Sequence, residues 1–277
     1  MTKRIDAHHH LWRYSEDEYG WIDESMKKLR RDFLLTDLVD EMRTANIDGA
    51  VAVQARQTLE ETRWLLELAD QSDAIRGVVG WAPIAEERFE AVLDEFAGRP
   101  KLKGLRHVIQ GESDENYILR DDFNRGIAAM RSRGLVYDVL IYERHLPQTI
   151  EFVDRHPEQM FVLDHIAKPR IREGIIEPWA AGMRELARRE NVSCKLSGVV
   201  TEADWNGWTA EGLKPYLDVV VEAFGPSRLM AGSDWPVCLV ACEYARWFGL
   251  LANYFAGFSE SEREAILGGN AVRVYGL

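Results

Sequence analysis

Three histidines stand in a row near the start of the chain, in Asp6-Ala7-His8-His9-His10-Leu11-Trp12. In an extended strand successive side chains alternate faces, so His8 and His10 point one way and His9 the other. Two imidazoles then converge on one spot and need partners from elsewhere in the chain. The candidates are His165, in Leu163-Asp164-His165-Ile166-Ala167-Lys168-Pro169, and Asp234, in Gly232-Ser233-Asp234-Trp235-Pro236, because each ends an apolar, strand-like run. Neutral imidazoles and a carboxylate are the ligand set that a borderline divalent cation such as Zn²⁺ prefers, and an open coordination position would bring the pKa of a bound water towards neutrality. The same four residues also work without a metal. Asp234 is then a general base on water, and the histidines steer a substrate carbonyl through hydrogen bonds. The plain alternative is a polar strand end or a tag remnant, although three histidines enclosed by Ile5-Asp6 and Leu11-Trp12 make a poor tag.

Such a set is useful only if the fold brings it together, and the rest of the sequence indicates how. Short apolar runs recur eight times, at Ile5 to Leu11, Ile47 to Gln54, Ile75 to Ile84, Leu102 to Ile109, Leu135 to Tyr142, Phe161 to Ile166, Val192 to Leu196 and Arg228 to Ser233. Most are continuous rather than alternating, as strands covered on both faces should be. Helix-period segments lie between them, at Leu34 to Ala45, Leu59 to Ala69, Arg88 to Ala97, Phe123 to Arg133, Pro147 to Arg155, Trp179 to Arg189, Glu211 to Phe224 and Cys242 to Phe255. Eight units of this kind in 277 residues predict an α/β fold, a (β/α)8 TIM barrel forming a single domain over 1–277. The turns from helix back to strand are tight. The connections after the first, fourth, sixth and seventh strands are long, and barrels place their chemistry in such loops. A last helical segment, Glu260 to Leu267, and the tail beyond Gly268-Gly269-Asn270 are expected to form a C-terminal helical cap.

The formal net charge of −12 and the lack of a basic cluster beyond Lys27-Lys28-Leu29-Arg30-Arg31 argue against nucleic acid or an anionic membrane as partner. Three cysteines, Cys194, Cys238 and Cys242, are an odd count that suits a reducing compartment. No 18-residue apolar run is present, and Met1 to Asp6 leads straight into histidines with no signal-peptide core, so a cytoplasmic location is expected. A homo-oligomer is left open.

With these motifs in place, the sequence resembles the amidohydrolase superfamily, and within it the lactonase-rich branch. The resemblance runs along essentially the whole chain. Asp6-Ala7-His8-His9-His10 matches the His-x-His of the first strand, His165 with Lys168-Pro169 the sixth-strand motif, and Gly232-Ser233-Asp234-Trp235-Pro236 the eighth. Gly268-Asn270-Ala271 resembles the closing Gly-Asn-Ala, and Gly104-Leu105-Arg106-His107-Val108-Ile109-Gln110 is similar to the fourth-strand segment of sugar-acid lactonases such as those acting on L-fuconolactone or L-rhamnonolactone. The resemblance implies a hydrolase that opens sugar-acid lactones to aldonic acids, with His8, His10, His165 and Asp234 as ligands. Many superfamily members hold two metals through a fourth-strand Lys or Glu and a fifth-strand His. Here those strands offer Arg106-His107 and Tyr137-Asp138, so one cation at most, Zn²⁺ by preference and dispensable in a metal-free version, is expected.

The remaining site residues follow from position. Arg106, ending the fourth strand, has the donors to bind a lactone carbonyl or the carboxylate product, with a rim salt bridge as the alternative. Gln54, Arg56 and Tyr137, at the ends of the second and fifth strands, are expected substrate contacts. His107 should face away from Arg106 and be structural, as should His156, while Lys195 is left between pocket cation and packed barrel residue. Trp12, Trp21, Trp81, Trp205, Trp208 and Trp235, with Tyr14 and Tyr19, fall at strand ends or in the loops beyond, a rim suited to stacking on a sugar face; Trp81 and Trp235 are expected to touch substrate. Asp234, His165, His10, His8 and Arg106 are therefore the expected catalytic set, Asp234 activating the water that attacks the ring ester. Two rivals remain, a metal-dependent decarboxylase of the same superfamily and a non-catalytic sugar-binding barrel.

Overall fold

The structure is a computed structural model and describes residues 3–277. Its strands are β1 (Ile5–His9), β2 (Gly49–Val53), β3 (Ile75–Gly80), β4 (Leu102–His107), β5 (Val136–Val139), β6 (Phe161–Leu163), β7 (Val192–Leu196) and β8 (Leu229–Ala231). They pair in parallel in the order β1 to β8. The ring is drawn together where Asp234 N–H donates to His8 O at 2.8 Å and His10 N–H to Trp235 O at 2.6 Å. A helix follows each strand: α1 (Leu35–Ala45), α2 (Leu59–Gln71), α3 (Phe89–Glu95), α4 (Asp121–Ser132), α5 (Leu146–Arg155), α6 (Trp179–Leu186), α7 (Ala210–Phe224) and α8 (Tyr244–Tyr254). Local chemistry fixes several ends. Thr58 and Thr209 cap α2 and α7 by accepting from Glu61 N–H and Gly212 N–H, and Asn46 stops α1 in the left-handed region.

Strands buried on both faces carry no period-two signal, and their ends are shorter than the apolar runs suggested. β6 stops at Leu163 and β8 at Ala231, and the turns that follow bring His165 and Asp234 to the barrel mouth. Two layers of core result. Between strands and helices lies the larger, with Tyr137, Phe123, Phe152 and Phe161 among its rings; inside the barrel Ile5, Ala7, Val51, Val53, Val79, Val136, Val162 and Met230 fill the lower half.

The C-terminal segment completes that inner layer. The helix expected from Glu260 to Leu267 is shorter, α9 (Glu260–Glu264), and a π turn then leads into α10 (Asn270–Tyr275). Gly268 lies so close beneath β1 that a Cβ there would come within 1.9 Å of Lys3 O. Asn270 donates to Pro226 O and Leu229 O, and Ala271 and Tyr275 rise into the barrel floor. The open end is thus the mouth above the C-terminal ends of the strands.

Candidate active site

β1 does not alternate simply. Its pairing with β2 slips between Asp6 and His9, a bulge that lets Asp6 face outward, where Ser233 N–H and Oγ–H and the Tyr244 hydroxyl donate to it, while His8 and His10 reach the mouth. His10 Nδ1 lies 2.8 Å from Val53 O. A carbonyl only accepts, so Nδ1 carries the hydrogen and Nε2 presents its lone pair. That lone pair faces His8 Nε2 at 3.2 Å and Asp234 Oδ1 at 3.3 Å, and His8 Nε2 lies 3.8 Å from the same carboxylate oxygen. Electron-rich atoms so placed need a proton or a cation between them. In a tetrahedral site with bonds of about 2.0–2.2 Å the ligand atoms stand roughly 3.3–3.6 Å apart. These residues fit one divalent cation with an open position.

His165 completes the group from the turn after β6, its Nε2 at 3.7 Å from Asp234 Oδ1 and its Nδ1 at 2.9 Å from Ser197 Oγ. Gly198, with φ +62°, is required beside it, since a Cβ would sit 2.6 Å from His165 Nδ1. Burial depresses the His165 pKa to about 4 and that of His8 well below its ordinary value. Burial acts to raise Asp234, but the neighbouring His165, His10 and Lys168 outweigh it and hold the carboxyl below the usual range. His9 is buried and makes none of these contacts; desolvation puts its pKa at about 3.

Beneath the mouth runs a chain of buried charges that sequence reasoning did not assemble. Asp164 lies 3.2 Å from His8 Nδ1 and 3.1 Å from Lys195 Nζ and accepts from Arg106 Nη1 at 2.9 Å. Lys195 in turn donates to Asp138 at 2.5 Å, and the Tyr275 hydroxyl donates to the Asp138 carboxylate at 2.8 and 2.9 Å. Burial raises the Asp138 pKa to about 6. Burial pushes Asp164 upward too, yet Lys195, His8 and Arg106 together hold it well below its ordinary value. Asp164, which also converges with His8 and His165, thus already faces Lys195 and Arg106. Lys195, left open from sequence, belongs to this chain.

The mouth opens into a cavity of about 800 Å³ lined by His10, Arg106, His165, Asp234, Arg56 and Lys168 among others. Several expected substrate contacts are elsewhere. Tyr137 points outward into the helix layer against Phe152 and Phe161, because Asp138 takes the inward face of β5. Trp81 donates through its indole to His107, which also bonds Glu112 and stacks on Tyr117, and Trp235 is buried against Phe33. Gln54 is wholly buried and holds Arg106, accepting at Oε1 from Nη2 at 3.2 Å. Arg56 lines the cavity but is paired with Glu18. Of the rim aromatics Trp21, 44 % exposed, reaches the cavity, and the other ring there, Tyr142, was not expected. Trp12, Trp205 and Trp208 tie loops down through their indole N–H groups, and Tyr19 packs between Trp12 and Tyr14. His156 bonds Asn124, and the cysteines are buried and join no metal-ligand cluster among the described residues.

A family described as amidohydrolase matches residues 5–277. An L-fucono-1,5-lactonase from Burkholderia multivorans is 42 % identical, covering 99 % of this chain and 96 % of its own length. One from Burkholderia ambifaria is 36 % identical over the same shares. A crystal structure of a B. multivorans amidohydrolase with bound zinc superposes with a TM-score of 0.96 at 41 % identity, covering 99 % of both chains.

Proposed function

The chain belongs to the amidohydrolase family, and from that premise we propose that it is a lactonase that hydrolyses a sugar-acid 1,5-lactone of the L-fucono type to the open aldonic acid. The observation that carries this reading is the meeting of His8 Nε2, His10 Nε2 and Asp234 Oδ1 at the floor of a cavity large enough for one sugar ring. Water lodged there lies against a carboxylate kept ionised. Asp234 takes its proton as it attacks the ring carbonyl. His165, whose Nδ1 is tied to Ser197, presents Nε2 to the oxygen on which charge develops, and Arg106, its N–H groups held by Asp164 and Gln54, adds positive charge beside it. Because both groups are fixed in advance, little reorganisation accompanies the reaction. A single divalent cation held by His8, His10 and Asp234, Zn²⁺ by the chemistry of its donors, would add Lewis acidity at the same point.

Acid release from a panel of aldonolactones tests the proposal. L-fucono-1,5-lactone and its stereochemical neighbours should open fastest, and failure to open any of them above the spontaneous rate would sink it; decarboxylation of an unsaturated acid would point to the superfamily's lyases instead. Metal analysis of active protein should find no more than one equivalent per chain. Two equivalents would contradict the assignment of Asp164 to Lys195 and Arg106.

A further inference from the structure

We propose that Lys168 is a catalytic residue of the lactone opening, the ammonium that gives a proton to the ring oxygen as it leaves; this rests on the hydrolytic reading above. Four consecutive residues, His165, Ile166, Ala167 and Lys168, have φ of 53°, 49°, 59° and 48°. Each costs roughly 1–2 kcal/mol in the left-handed region, and strain of this kind survives where the surroundings impose it, commonly at active sites. Lys168 N–H closes the turn on His165 O at 2.9 Å. The turn has a clear result. His165 and Lys168 both line the cavity, while Ile166 and Ala167 between them are wholly buried in the core.

Other cations at the mouth are occupied, Arg106 by Asp164 and Gln54 and Arg56 by Glu18. Lys168 Nζ stands over the Tyr142 ring, 5.6 Å from its centroid, with Glu202 Oε1 at 3.8 Å, an ion pair looser than a hydrogen bond. Its N–H groups are thus available to a ligand lying against His165 and Asp234.

In the reaction, water forms a C–O bond to the carbonyl carbon while Asp234 takes one water proton. Collapse of the tetrahedral intermediate breaks the bond from that carbon to the ring oxygen, which departs with the electron pair. An alkoxide is close to hydroxide in basicity (water pKa about 15.7) and takes a proton readily from an ammonium group. Cavity water carries the proton from Asp234 back to the neutral amine. The sum is lactone plus water to hydroxy acid.

Kinetics of Lys168→Asn and Lys168→Arg test this, using the full-length protein with a six-membered aldonolactone and the thiolactone of the same sugar acid. Asn tolerates positive φ, so the turn should persist, and unchanged thermal melting checks it. The expected loss in kcat for Lys168→Asn is about 10²- to 10⁴-fold on the oxygen lactone and under about tenfold on the thiolactone, whose thiolate (pKa about 8.5 for a thiol) leaves without a proton. Lys168→Arg keeps the charge but does not release a proton, and should stay near the Asn rate. Recovery of wild-type kcat by Arg, equal losses on both substrates, or a change in KM alone would overturn the proposal and leave the hydrolytic reading intact. Wild-type protein that opens no aldonolactone would overturn both.

Discussion

Asp234 turns one oxygen towards three imidazole nitrogens at 3.3, 3.7 and 3.8 Å, a place where a carboxylate is worth more for its charge than for its shape. Asp234→Asn keeps volume and backbone and removes the base together with one negative charge. Lactone opening should fall by about 10²- to 10⁴-fold, with thermal melting little changed; wild-type turnover by this variant would rule out Asp234 as the base. The residues that meet at the mouth were legible in sequence because strand alternation pairs His8 with His10, and because His165 and Asp234 end apolar runs. Their supports were not. Asp164 stands next to His165 and reads as its neighbour, yet a turn at the end of β6 aims it down the barrel at His8, Lys195 and Arg106. Tyr137 was misplaced for a related reason, since a strand buried on both faces does not reveal which of two adjacent residues points inward.

At the scale of elements, the βα connections act as braces. Glu61 in the first turn of α2 is wholly buried and accepts at Oε2 from Ala55 N–H at 2.9 Å and Arg56 N–H at 2.7 Å, which holds the β2–α2 loop against the cavity. Burial raises its pKa to about 7 from an ordinary 4.5. The fold therefore favours the protonated acid, and this contribution to stability is complete below about pH 4.5 and lost as pH rises through about 7. Denaturant melts of wild type and Glu61→Gln should show the gap shifting towards the variant between pH 4.5 and 8, by at most about 3 kcal/mol. A gap independent of pH would mean that the carboxyl titrates as if exposed. Elements themselves were readable from the 3.6-residue period and tight return turns, whereas strand ends were not, because apolar residues such as Ile166 prolong the run after the chain has left the sheet.

Seen whole, the barrel is a stack: mouth, buried charges, aliphatic layer and the α10 floor. Tyr275 joins floor to charges through Asp138, so Tyr275→Phe removes a buried donor without changing the ring. The expected cost is about 1–3 kcal/mol, seen as a melting temperature lower by a few degrees; an unchanged midpoint would show that Lys195 alone satisfies Asp138. No periodicity in the tail announced this, because its meaning depends on a carboxylate 137 residues away. The seam of the ring has a consequence of its own. β8 meets β1 through His8 O, Asp234 N, His10 N and Trp235 O, so the bonds that shut the cylinder run through the residues proposed to do the chemistry. Segments more than 200 positions apart must find each other for this, the kind of long-range pairing that chain entropy makes slow. Turnover is then a gauge of closure. In refolding, helical signal should return before activity, and an arc of seven strands, however well formed, would have half a catalyst at each of its two edges.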